Sequence, residues 1–190
     1  MPNLCSYAMR IQGKEEQVDE FVKIIQAEYH YDSNGKCNVD RHLWRVFDAY
    51  LDDEDIENGI KTTTLSGSCA WSVYSCMCEG AHTYQSEHPD GNGTTLQIES
   101  ERLELAIEVF SEECGNAFME HFAFVKGKCL INECVEWNEY ACFDYENVDD
   151  MNAQWGTNFT QEQFEENDFL STGGMEWVFS DWTEELETIN

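Results

Sequence analysis

Cys5-Ser6-Tyr7-Ala8-Met9-Arg10-Ile11-Gln12-Gly13-Lys14-Glu15-Glu16-Gln17-Val18 carries two periodicities in succession. Tyr7, Met9 and Ile11 alternate with more polar neighbours and predict a strand over Cys5–Gln12 with one buried face. Gly13 ends the alternation. Val18, Phe21, Val22 and Ile25 then recur at helical spacing, with Glu15, Glu16, Asp19 and Glu20 early in the segment. Acids near a helix N-terminus complement its dipole, so a helix is predicted from about Lys14 to His30. A strand feeding directly into an amphipathic helix sets the chain in the α+β class.

Further along, Asp32-Ser33-Asn34-Gly35-Lys36 reads as a turn. Trp44, Val46, Asp48 and Tyr50 alternate with Arg45, Phe47 and Ala49 and predict a strand. Asp52-Asp53-Glu54-Asp55 reads as an acidic loop, followed by a strand region over about 60–77 broken near Gly67. His82 to Gly93 reads as loop and Thr95 to Ala106 as a helix. Short strands are then expected at Ile107–Ser111 and Phe118–Val125. A hairpin turn follows at Lys126-Gly127-Lys128, and then a longer, bulged strand over Cys129–Tyr145. This order predicts a ferredoxin-like antiparallel sheet with helices on one face over residues 1–145, and a C-terminal extension over 146–190.

Charge sets this chain apart. Its 190 residues hold 39 Asp and Glu against 10 Lys and Arg, a formal net charge of −29. From Cys129 to Asn190 there are sixteen acids and no Lys, Arg or His, giving −16; the first 128 residues carry 23 acids and 10 bases, giving −13. Self-repulsion on this scale opposes compaction. It also makes free nucleic acid and anionic membranes poor partners. With 42% hydrophobic and 13% aromatic residues there is material for a packed core, and Trp155, Phe159, Phe164, Phe169, Trp177, Phe179 and Trp182 punctuate the acidic end. The partner expected from composition is a protein with a basic surface.

No basic and apolar leader opens the sequence, and no run of eighteen apolar residues occurs in it. Nine cysteines without regular spacing argue for reduced thiols in the core rather than a disulfide framework. The expected location is the cytoplasm of a bacterial host.

Several patches carry a resemblance. Met1-Pro2-Asn3-Leu4-Cys5, Gly67-Ser68-Cys69-Ala70-Trp71, Ser111-Glu112-Glu113-Cys114-Gly115 with Phe118 following, and Val135-Glu136-Trp137-Asn138-Glu139-Tyr140 together resemble the YubB-like ferredoxin-fold proteins of phages and plasmids. The similar patches span about residues 1–145. Leu4 stands where that family usually has Trp, and the acidic end lies outside its pattern. The resemblance implies a ferredoxin-like core and a mobile-element origin, and it implies no catalytic residues.

Four kinds of chemistry are suggested by the side chains present. Cys76 and Cys78, placed on a strand, would share a face, and His82 and His88 could return to complete a tetrahedral zinc site, although the spacing is not the usual two to four residues. Two core thiols and two loop histidines explain the same residues more simply. His121 beside Glu120, with Cys114, is the best-placed thiol–imidazole pair, but nothing local marks an activated cysteine. Asp52–Asp55 lacks the alternation and glycine of a calcium loop, and no phosphate-binding glycine loop occurs. The fourth is the acidic surface itself. Carboxylates on a rigid scaffold can take the place of phosphates in a basic groove.

Composition and resemblance together predict an anti-CRISPR-type or related antagonist. It would act as a nucleic-acid mimic on a host defence nuclease, such as a CRISPR effector of the Cas9 kind or a restriction enzyme. One contact patch is expected at Asp52, Asp53, Glu54 and Asp55, and a second at Asp149, Asp150, Glu162, Glu165, Glu166 and Asp168. The alternatives are a metal- or thiol-dependent enzyme of phage or plasmid metabolism and a passive acidic accessory protein.

Overall fold

The structure, a computed structural model, describes residues 3–81, 92–136, 147–156, 158–166 and 177–188. Strand β1 spans Leu4–Gly13, with Cys5, Tyr7, Met9 and Ile11 all buried on one face, as the alternation predicts. Helix α1 follows over Glu15–Ile25 and buries Val18, Phe21, Ile24 and Ile25. Lys14 offers no side-chain cap, so the exposed first-turn amides rely on the dipole's attraction for Glu15 and Glu16.

The helix stops at Gln26 rather than reaching His30. The residues beyond are drawn into an aromatic cluster instead. Tyr29 stacks on His42 with centroids 3.7 Å apart, the Tyr31 hydroxyl meets His42 Nε2 at 2.9 Å, and Arg45 N donates to the Tyr29 hydroxyl at 3.0 Å. These contacts outweigh the modest gain of another helical turn.

Strand β2 spans Val46–Glu57 and β3 spans Ile60–Ala70, joined by Asn58-Gly59. Both turn residues have positive φ, 52° and 83°, the requirement of a two-residue type I′ hairpin. The acidic run 52–55 is therefore strand and not loop. The strand region expected to reach Met77 ends at Ala70. Trp71 adopts φ of 64°, and Ser72 then caps a short helix α2, Val73–Met77, accepting from Ser75 N at 3.0 Å. Helix α3, Leu96–Arg102, is capped by Thr95 and leads into β4, Ala106–Glu113. Strands β5, Phe118–Val125, and β6, Lys128–Glu136, form a hairpin whose turn residues Lys126 and Gly127 again have positive φ.

The six strands form one antiparallel sheet in the order β2-β3-β1-β4-β5-β6. Helices α1 and α3 lie on one face. There the β1 residues pack with Leu65, Cys69, Ile107, Val109, Phe122 and Phe124 in a single core. The described chain is thus α+β with a six-stranded open sheet.

The opposite face is covered in part by residues 177–188. Arg10 Nη1 donates to the Ser180 carbonyl at 3.3 Å, and Gln12 both donates to Asp181 at 3.1 Å and accepts from Trp182 N at 2.9 Å. Phe110 lies beside Trp177 and Phe179, with centroids 6.1 and 5.3 Å away. Helix α6, Thr183–Thr188, sets Leu186 against Ala106 and Val125. Along the chain, helices α4, Val148–Trp155, and α5, Gln161–Glu166, come after β6 and before this segment. The expected boundary at 145/146 falls outside the described residues. No helix among the described residues is long and apolar enough to cross a membrane.

Candidate partner-binding surface

Cations are scarce, and the fold uses at least half of them internally. Arg41 and Arg102 both bind the fully buried Glu99, and Arg102 also reaches Glu20 at 2.6 Å. Lys61 bridges Asp19 at 2.8 Å and Glu54 at 2.9 Å. Arg10 and Lys126 bind carbonyls of the C-terminal segment. At least five of the ten Lys and Arg residues are engaged in this way, and Arg45 lies over the Trp71 ring, which leaves a carboxylate-rich exterior.

Strand geometry sorts the first expected patch. Successive side chains of a strand point to opposite faces. Glu54 stands opposite Thr63 and faces α1, where Lys61 holds it. Asp53 stands opposite Thr64 and Asp55 opposite Thr62, on the other face. A register shift between Leu51 and Asp53 lets Asp52 share that face, where it accepts from Ser66 Oγ at 2.9 Å. Asp48 accepts from Ser68 Oγ at 2.8 Å. The patch is therefore not four equivalent acids. Asp52, Asp53 and Asp55 continue into Glu57 as a column beside the hydroxyls of β3, and Glu54 belongs to an ion pair on the helix side.

Asp53, Asp55 and Glu57 line an open groove of about 550 Å³, closed on its far side by Arg10, Phe179 and Asp181. Hydrogen bonds from Thr183 and Gln12 hold the Asp181 carboxyl below the ordinary carboxylate range, so it adds a firm negative charge. Glu57 and Asp181 did not enter the expected patch. The Asn58-Gly59 dipeptide was the available signal, because it marks a hairpin and so turns the acidic run into strand with one acid-lined face.

The second patch is partly described. Asp149 and Asp150 are exposed in the first turn of α4, where acids also stabilise the helix end. Asn147 caps that helix, accepting from Asp150 N at 3.0 Å. Glu162 is exposed on α5. Glu165 and Glu166 lie in α5, but their side chains, like all of Asp168, fall outside the description.

The strand expected to set Cys76 and Cys78 on one face is replaced by a helix and its C-terminal cap. Cys76 sits within α2, with its thiol donating to the Ala70 carbonyl at 2.7 Å, and Cys78 follows the helix end, fully enclosed. His82 and His88 lie outside the described residues. Among the described residues, no three His, Cys, Asp or Glu side chains are placed to hold a metal ion. Of the eight described cysteines, all unbridged, Cys5, Cys37, Cys69, Cys76 and Cys78 are buried.

The imidazole of the expected thiol–imidazole pair is engaged on the sheet. His121 Nε2 meets Glu108 at 2.8 Å and its ring stacks on Phe110 at 3.9 Å. Its neighbour Glu120 points to the other face and accepts from Val73 N at 2.8 Å, Tyr74 N at 3.3 Å and Ser111 Oγ at 2.7 Å. Cys114 is exposed on the β4–β5 turn.

No protein-family model, curated protein or solved structure matches this chain.

Proposed function

We propose that this is an acidic mobile-element protein that occupies a basic nucleic-acid-binding surface and so antagonises a host defence nuclease, of the CRISPR-effector or restriction-enzyme class. The observation that carries the reading is the carboxylate column Asp53, Asp55 and Glu57 on one face of a hydrogen-bonded hairpin, with Asp181 across the groove. Side chains two apart on a strand stand about 6.7 Å apart. That is roughly the axial advance of two phosphates along one strand of duplex DNA. A basic channel that grips phosphates can grip such a column and release its own counterions.

The strand order β2-β3-β1-β4, with α1 between β1 and β2 and α3 ahead of β4, supports a ferredoxin-like core extended by the β5–β6 hairpin. That core would hold the column rigid. Rigidity matters because a solvated acidic tail loses conformational entropy on binding and a prebuilt strand does not.

The test is DNA cleavage by a purified Cas9–guide complex and by a panel of restriction endonucleases, with this protein titrated in. Inhibition of a nuclease, relieved by excess DNA and weakened by the combined Asp53→Asn, Asp55→Asn and Glu57→Gln substitutions, is the expected result. Full cleavage by every enzyme at micromolar protein would overturn the reading.

A further inference from the structure

Strand β2 ends the sheet, so one of its rims faces outward for twelve residues. Near its start the Gln26 side-chain amide donates to the Ala49 carbonyl at 3.0 Å and occupies that position. From Tyr50 to Glu57 no described group pairs with the outer rim. All eight residues of this run are exposed. A long open rim of backbone donors and acceptors is a template for another strand.

The side chains choose the occupant. A second copy of this chain is opposed, because β2 against β2 sets Asp52, Asp53, Glu54, Asp55 and Glu57 against their own kind, and like charges across a ladder repel. The other edge strand, β6, brings Glu133, Glu136 and a single cation, Lys128. A strand with Lys or Arg at alternate positions is favoured instead, since those side chains would fall beside Asp53, Asp55 and Glu57. On the opposite face Leu51 and Ile56, 50% and 53% exposed, offer apolar contact to the residues between.

Space exists on both sides. The acidic groove flanks one face of the hairpin. A second groove of about 500 Å³, lined by Ile25, Tyr29, Val46 and Tyr50 among others, lies where α1 meets the first half of β2. Side chains of an added strand alternate between faces, so one set falls beside the acidic groove at 53–57, and the second groove is reached only at Tyr50.

We infer that the outer rim of β2, Tyr50–Glu57, is a strand-addition site for an extended segment of a partner protein with Lys or Arg at every second position and apolar residues between. The inference rests on the proposed function for nothing but the sign of the partner's charge. Backbone pairing supplies affinity, and the carboxylate column selects sequence and register.

The probe is the peptide acetyl-Lys-Val-Lys-Val-Lys-Thr-Lys-amide, added to the full chain in about 0.1 M salt, where exposed charges are screened beyond ~10 Å. Saturable binding is expected, with amide hydrogen exchange slowed about tenfold or more across residues 50–57, which corresponds to roughly 1.4 kcal/mol of protection. The same peptide N-methylated at alternate amides keeps its charge but cannot pair, and it should bind at least about tenfold more weakly. Equal binding of the methylated peptide, protection confined to α4 and α5, or no binding at all would each overturn the inference. The nuclease assay is separate: protected β2 amides without nuclease inhibition would remove the antagonist reading and leave the strand-addition site standing, and inhibition with β2 unprotected would do the reverse.

Discussion

Trp182 donates its indole N–H to the fully buried carboxylate of Glu108 at 2.9 Å, across 74 residues of sequence. Ser180 N donates to the same oxygen at 2.8 Å, and His121 meets the other oxygen. A buried carboxylate needs its donors, because water cannot replace them. Glu108 is thus the point at which the C-terminal segment is fastened to the sheet. Trp182→Phe keeps most of the ring's packing and removes one charge-assisted bond, so it should cost about 1.5–3 kcal/mol. The urea midpoint should fall accordingly, and exchange should speed up first at residues 177–188. An unchanged midpoint would mean that the fastening contributes nothing.

Tyr7 and Gly67 make a second long-range tie. The Tyr7 hydroxyl passes beneath Gly67 to donate to the Asp48 carbonyl at 2.8 Å, and burial raises its pKa so that it stays a donor throughout the usable pH range. A Cβ at position 67 would stand 2.2 Å from that carbonyl oxygen and 2.6 Å from the hydroxyl. Gly67→Ala should therefore push β2 off the sheet and cost about 1–3 kcal/mol. Tyr7→Phe removes one hydrogen bond and should cost about 1 kcal/mol. Chemical denaturation of both variants checks the order, and a harmless Gly67→Ala would mean that β2 is not held as closely as the geometry indicates.

These ties show where the sequence is legible. The buried face of β1, the start and buried face of α1 and the β5–β6 hairpin turn come from local periodicity and turn chemistry, and they appear where those signals place them. The acidic run 52–55 does not, because strand propensity is low for Asp and the run is held by its register with β3, which local pattern does not report. α1 ends early for a similar reason: the pull on Tyr29 and Tyr31 comes from His42 and Trp44, more than ten residues away. The docking of Trp182 on Glu108 is a contact between distant segments and has no local signature at all. The acids of the candidate site are visible in composition, but their division between two faces is not.

Glu120 gives the stability a pH dependence of its own. Burial, the largest cause, raises its pKa above the ordinary 4.5, and hydrogen bonds from Ser111, Val73 and Tyr74 offset part of that rise. Between the unfolded and folded values the native state binds more protons than the unfolded state, so this group's contribution is greatest below the unfolded value and declines as pH rises through the folded one. Glu120→Gln cannot ionise. Its stability relative to the wild-type protein should therefore improve as pH increases from about 4 to 7. Urea titrations of both proteins across that range test the sign. A constant difference would show that Glu120 titrates normally, and a difference moving the other way would show that the hydrogen bonds dominate burial.

The last prediction separates the two faces of β2. Asp53, Asp55 and Glu57 share the groove face, whereas Glu54 is turned to Lys61. If charge on the groove face meets the partner, neutralising Asp53, Asp55 and Glu57 together should lower the association rate by roughly tenfold and flatten its salt dependence, because steering scales with the charge presented. The dissociation rate should change less, since rim charges act mainly on encounter. Neutralising Glu54 alone removes a single carboxylate, and Lys61 keeps Asp19 as a partner. Glu54→Gln should therefore change stability by no more than about 1 kcal/mol, because Glu54 itself is half exposed, and leave the association rate within about twofold. Stopped-flow or surface-binding kinetics on the inhibited nuclease read both numbers. Equal effects from the two sets would mean that the partner senses net charge alone, and the arrangement of the column on its hairpin would then carry no recognition.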